Sequence, residues 1–149
     1  MALKRDRDYQ AITDISHFWT SVPSGYAKGG VAVLKTAGSG VSLDNAANVV
    51  CYAPDGSGQK AKGVLLQDVT YYSGDRYYKN FANGEIVPGD KCTLMRKGWC
   101  VTNMIQGNPT AGQVAYLGAS GNFNADQWTD CREVGMFETK IVELGFAKV

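Results

Sequence analysis

The sequence predicts an all-β fold, a compact β-barrel or sandwich of short strands preceded by an N-terminal arm. Three observations carry that reading. Glycine is abundant, 18 of 149 residues, and many glycines stand between short apolar runs, where they mark turns. A spacing recurs: a glycine, a leucine five residues on, and a turn glycine nine residues on. It appears as Gly89, Leu94, Gly98, as Gly112, Leu117, Gly121, and near the start as Gly29, Leu34, Gly38. The apolar runs themselves, such as VAVL and NVVCYA, have strand length rather than helix length.

Residues 1–20 differ from the rest and form the expected arm, with 21–149 as a single β-domain. After a mixed-charge start, Tyr9, Ile12, Ile15, Phe18 and Trp19 recur at spacings of three and four. That fits one or two turns of amphipathic helix, with Thr13 or Asp14 as a cap. So short a helix is marginal alone in water. Two readings stand open: a helix packed on its own barrel, or an arm that orders against a partner surface.

Ser21 to Gly30 reads as a linker and turn, and Val31 to Leu34 as the first confident strand. Val41 to Leu43 continues the chain after Gly38-Ser39-Gly40, and Asn48 to Ala53 is an apolar strand before the Pro54–Gly58 loop. Gly63 to Thr70 is the most apolar strand, a barrel stave. Arg76 and Lys79 flank Tyr77 and Tyr78; basic residues beside aromatics bind single strands of nucleic acid, but two charges with Asp75 alongside read better as an edge hairpin. Asn83-Gly84 is a hairpin dipeptide. Lys91 to Met95 is a strand that Gly98 reverses into Trp99 to Asn103. Val114 to Leu117 and Asn122-Phe123 form the next hairpin, and Trp128 falls in a polar loop. Val134 to Thr139 and Ile141 to Val149 close the chain.

Composition excludes several functions. A net charge of +1 offers no field to hold nucleic acid or an acidic membrane surface. No apolar run is long enough to span a bilayer, and the MALKRDRDYQ start has no apolar segment of a signal peptide, so synthesis in a cytoplasm is expected. Cys51, Cys92, Cys100 and Cys131 are then expected as thiols. A two-residue Lys97-Gly98 turn would set Met95 opposite Cys100 and Cys92 opposite Asn103, so those cysteines would not pair.

No catalytic constellation emerges. The one histidine, His17, would have to serve any Ser/His/Asp or Cys/His device, and it lies in the arm, a poor platform. No CxxC pair exists, and one histidine with scattered cysteines does not match zinc spacing. Asp68, Asp75, Glu85 and Asp90 could meet in space as paired carboxylates, but nothing favours any pair. No metal, no cofactor and no enzymatic activity are expected.

Read together, DYQAITDISHFW, GGVAVLKTAGSGVSLDNAANVV, KGVLLQDV, PGDKCTLMRKGWCVTNMI, AGQVAYLGASGNF, VGMFET and GFAKV resemble the small decoration, or cement, proteins of tailed-bacteriophage capsids, particularly those of phages infecting cyanobacteria and related hosts. The order of these stretches and the arm carry the likeness, since glycine-marked hairpins are generic. The resemblance implies a structural virion protein on the outer capsid surface, bound where major capsid subunits meet. It implies a homo-oligomer, with a trimer slightly favoured over a dimer, and no catalytic residues. It makes Tyr9, Ile12, Ile15, Phe18 and Trp19 the candidate capsid contacts. A second reading is another virion or carbohydrate-binding module, such as a head fibre base or tail component, with Trp99, Trp128, Tyr77 and Tyr78 as a sugar platform.

Overall fold

The computed structural model describes residues 3–5, 12–20, 27–28, 30–34, 49–53, 58–70, 85–127, 130–140 and 147–149. Among them the chain is all-β, as the sequence predicts. In chain order the strands are β1 (Leu3–Arg5), β2 (Ile12–Trp19), β3 (Ala27–Lys28), β4 (Val31–Leu34), β5 (Val49–Tyr52), β6 (Ala61–Leu65), β7 (Asp68–Val69), β8 (Glu85–Ile86), β9 (Lys91–Lys97), β10 (Cys100–Thr102), β11 (Ile105–Gln106), β12 (Val114–Leu117), β13 (Phe123–Asn124), β14 (Glu133–Met136) and β15 (Ala147–Lys148). The expected strand over Val41 to Leu43, the Arg76–Lys79 and Asn83-Gly84 hairpins and Trp128 lie outside the described residues.

Five strands close a barrel in the order β2-β5-β4-β6-β9. Closure removes the open edges that a small sheet would otherwise expose. A four-stranded sheet, β11-β13-β12-β14, and two three-stranded sheets, β1-β10-β15 and β3-β7-β8, surround it.

Two apolar cores explain why the barrel staves read as continuous apolar runs. Trp19, Ala32, Val50, Tyr52, Leu65, Val69, Ile86, Cys92 and Leu94 form one core. Val31, Val33, Val64 and Met95 join Leu117, Phe123 and Phe137 in the other. Successive residues of a strand point to opposite faces, so β4 sends Ala32 to the first core and Val31 and Val33 to the second. A strand buried on both faces shows no polar alternation.

The repeated glycine–leucine spacing has unequal outcomes. Leu94 and Leu117 are fully buried core residues, whereas Leu34 is exposed. Gly112 and Gly121 do mark a real hairpin, one ahead of its first strand and the other in its turn: β12 pairs antiparallel with β13 across a kinked 3-10 turn at Ala119–Gly121. Gly98 does not reverse a hairpin. The chain leaves the barrel there, because β9 pairs with β2 and β6 while β10 pairs with β1 and β15. The expected opposition of Met95 to Cys100 and of Cys92 to Asn103 is therefore not formed.

The expected helix around Ile12–Trp19 is a barrel strand instead. β2 pairs antiparallel with β9 and parallel with β5, and Trp19 is 0% exposed, its ring set edge-on to Tyr52 at 4.7 Å. The three-and-four spacing has a different cause. Asp14 pairs with Leu94 and His17 with Cys92, so Ile15 and Ser16 together oppose Thr93. This is a β-bulge, which adds one residue and resets which face the next side chain takes. A second bulge places Arg96 as the extra residue of β9, between Ile12↔Lys97 and Thr13↔Met95. The two irregularities lie on opposite strands and cancel, so register is restored at both ends.

Candidate functional site

The outer face of β2 is the most unusual surface among the described residues. Ile12 is 57% exposed and Ile15 is 65% exposed. Without the bulge, Ile15 would share the inward face of His17 and Trp19; with it, Ile15 points to solvent. Beside Ile12, Lys97, Gly98 and Trp99 line a shallow recess of about 520 Å³. Phe18 is half-buried further along the strand, with the Lys91 ammonium 5.8 Å from its ring centre, a cation–π distance.

The structure thus separates the five sequence-predicted contacts. Ile12 and Ile15 are exposed, Phe18 is partly so, and Trp19 is a core side chain. Tyr9 lies outside the described residues. The bulge and the Ile12 recess depend on pairing with distant strands, which no local spacing reveals.

Asp14 sits between the two bulges. Its Oδ1 accepts hydrogen bonds from the Ser16 amide at 2.9 Å and the Ser16 hydroxyl at 2.6 Å. Its Oδ2 accepts one from the Arg96 guanidinium at 3.4 Å. The Ser16 hydroxyl and amide are the main reasons the Asp14 carboxyl falls from 3.8 to about 2; burial opposes them, and His17 and Arg96 assist. His17 is buried, and desolvation pushes its pKa below 6.5. The Lys62 and Arg96 cations push the same way, against the opposing Asp14 carboxylate.

Ser16, His17 and Asp14 are the residue types of a hydrolytic triad, but they are connected differently. Both Ser16 Oγ, at 3.3 Å, and Asp14 Oδ1, at 3.4 Å, approach the same ring nitrogen, His17 Nδ1, and the Ser16 hydroxyl donates to Asp14. A triad needs the serine and the carboxylate on opposite nitrogens, so that the ring can take the serine proton while the acid orients it. Here the carboxylate takes the serine hydroxyl and no such path exists.

The pH dependence of stability follows from these groups. Both native pKa values are depressed, so the unfolded chain binds more protons in acid and stability falls as pH falls. The His17 contribution is lost on going below pH 6.5, and that of Asp14 between 3.8 and about 2. Asp14 is a quarter exposed; allowing for solvent screening, its share is about 1 kcal/mol. The urea midpoint should decline from pH 7 to pH 5 in the native sequence, and much less in His17→Gln. A midpoint equally flat in both would contradict the assignment.

The remaining chemistry is quiet. All four cysteines are thiols, and burial pushes Cys92 and Cys100 up to about 12, far from the thiolate form that reacts. Among the described residues no three His, Cys, Asp or Glu side chains are grouped for a metal ion, and no helix is long and apolar enough to cross a membrane. A groove of about 420 Å³ runs between the barrel wall at Lys62, Arg96 and Lys97 and the sheet at Glu133 and Glu138. Glu138 is engaged there by the Trp99 indole N–H. Of the four residues of a conceivable sugar platform, Trp99 is described and half-buried.

Fold and site together define a small barrel module whose distinctive feature is an exposed apolar strand face. A family model described as structural cement protein (E217 gp24/Pam3 gp6) matches residues 10–145, and the chain belongs to this family of phage cement proteins. No curated protein and no solved structure matches it. The function is accordingly that of a structural cement protein, associated with the phage capsid in the virion.

Proposed function

We propose that the chain binds the outer surface of the phage head where major capsid subunits meet, and that the outward face of β2 makes the contact. The observation that carries this is the pair Ile12 and Ile15, two large apolar side chains more than half exposed on a strand fixed in the barrel wall. A contact of this kind differs from an arm that orders on binding. The strand is already folded, so docking it costs little of the ordering entropy that a disordered segment loses. Phe18 and the recess at Ile12 extend the same face. Trp19 supports it from within the core, and Tyr9 is retained as a candidate from the sequence alone.

The chain is proposed to act as a homo-oligomer, a trimer in preference to a dimer, since one trimer can bridge three capsid subunits. Light scattering of the purified protein tests that stoichiometry.

The contact is tested by replacing Ile12 and Ile15 with serine and mixing the protein with capsids lacking cement. Burying what is now exposed on both residues is worth about 2–3 kcal/mol, so the double variant should bind about 30–150-fold more weakly while melting like the parent. Binding that stays within twofold of the parent would remove β2 from the interface.

A further inference from the structure

We infer that Asp14 is a positioning residue for capsid binding: its single carboxylate ties the two opposed bulges of β2 and β9 together and thereby fixes the outward display of Ile12 and Ile15. This rests on the β2 face being the contact.

The argument begins with an accounting of backbone groups. At the β2 bulge, Thr93 is the residue opposite Ile15 and Ser16. Thr93 directs both its backbone groups elsewhere: its N–H donates to Gln67 Oε1 at 2.7 Å, and its carbonyl accepts from the Leu66 amide at 3.0 Å. Ser16 has no position in the pairing register with β9. Its N–H, on the exposed side of the strand, donates instead to Asp14 Oδ1 at 2.9 Å, closing a local turn around Ile15. The Ser16 hydroxyl reinforces the same oxygen.

The second oxygen reaches the other strand. Arg96 is the extra residue of the β9 bulge, and its guanidinium is the partner of Asp14 Oδ2. This pair is long and partly exposed, 43% and 26% at the two side chains, and surface ion pairs are weak. The turn around Ile15 is thus held mainly through Oδ1, and Arg96 sets its orientation against β9. Ile12, paired with Lys97 immediately beyond Arg96, is positioned by the second bulge. Among the described residues, Asp14 is the carboxylate that meets both the Ser16 amide and the Arg96 guanidinium.

The distinction from a merely structural role is measurable. In Asp14→Ala the Ser16 amide loses its acceptor and Ile15 its fixed direction. Binding to cement-free capsids should weaken about tenfold, as for loss of a bond to a charged group, and exchange of the Ser16 amide should quicken by a similar factor. Asp14→Asn keeps an oxygen at Oδ1 and should restore both to within about threefold of the parent. Ile15→Ala added to Asp14→Ala should cost less than twofold more, because the two changes remove the same interaction. If Asp14→Ala folds poorly, Ser16→Ala, which deletes only the hydroxyl bond, should move binding and exchange in the same direction by a smaller factor.

Unchanged Ser16 exchange in Asp14→Ala would overturn the inference, and so would a full additional loss from Ile15→Ala in that background. If Ile15→Ala alone leaves binding intact, the contact face itself is wrong. Amide exchange is read on the isolated protein, so the two failures are distinguishable.

Discussion

Removing residues 1–20 should abolish cooperative folding of the whole chain, not only its capsid binding. An arm would detach cleanly; β2 does not, because it is the stave that joins β5 to β9. Without it the barrel has two unsatisfied strand edges and an open core. Trp19, fully enclosed against Tyr52, is lost as well. Removing a buried large aromatic alone costs about 3–5 kcal/mol, a large part of the 5–15 kcal/mol that typically separates native from unfolded. The backbone bonds Gly89 N–H to Trp19 carbonyl, 2.7 Å, and Trp19 N–H to Asp90 carbonyl, 3.0 Å, go with it and free the turn that enters β9. Circular dichroism with urea titration of the truncated chain should show no sigmoidal transition. A truncated chain that melts with the parent's steepness would mean that the barrel closes without β2. This is why the capsid contact is tested with point substitutions on β2 rather than by truncation.

Much of the fold is legible in the sequence where local chemistry decides it. Val31–Leu34 and Val114–Leu117 are strands with the boundaries the apolar runs suggest, and the turn at Ala119–Gly121 falls where glycine marks it. What failed was decided by pairing between distant segments. The Gly98 turn looks like a hairpin because two apolar runs flank it, yet each run finds partners elsewhere in the chain. Register of this kind is set by tertiary burial, not by the intervening residues. β2 is the sharper case. A bulge inserts one residue into a period of two, so the interval from Ile12 to Ile15 to Phe18 imitates a helical face. The apolar surplus of the segment was readable, but its division into exposed Ile15 and enclosed Trp19 was not. His17 shows the same limit: a lone histidine in a segment of mixed polarity gives no sign that it will be buried against Cys92, whose thiol donates to the His17 carbonyl at 3.4 Å.

Gly121→Ala should be the most damaging single methyl that can be added to the described residues of the hairpin turn, at about 3 kcal/mol. Two costs combine. Gly121 has φ +79°, a left-handed conformation that costs an L residue about 1 kcal/mol or more. A Cβ there would also lie 2.3 Å from Tyr52 Cδ1 and 2.7 Å from its Cε1. The Tyr52 ring cannot swing aside, because it is packed edge-on against Trp19 inside the barrel, and overpacking a fixed core costs about 1–3 kcal/mol. The neighbouring contacts give no slack. Ser120 donates its N–H to the Ala53 carbonyl at 2.9 Å, and the Gly121 carbonyl oxygen is so close to Gly30 that a Cβ on that residue would lie 2.6 Å away. This is the joint at which the four-stranded sheet rests on the barrel. Gly112 supplies the control: its φ is +84°, but nothing lies within 4 Å of an added Cβ, so Gly112→Ala should lose only the conformational part, about 1 kcal/mol. The difference between the two urea midpoints measures the clash alone. Equal losses would show that Tyr52 yields and that the joint is soft. The larger loss at Gly121 is expected with one transition rather than two, since the residue that fails touches a ring of the barrel core while belonging to the hairpin of the adjoining sheet.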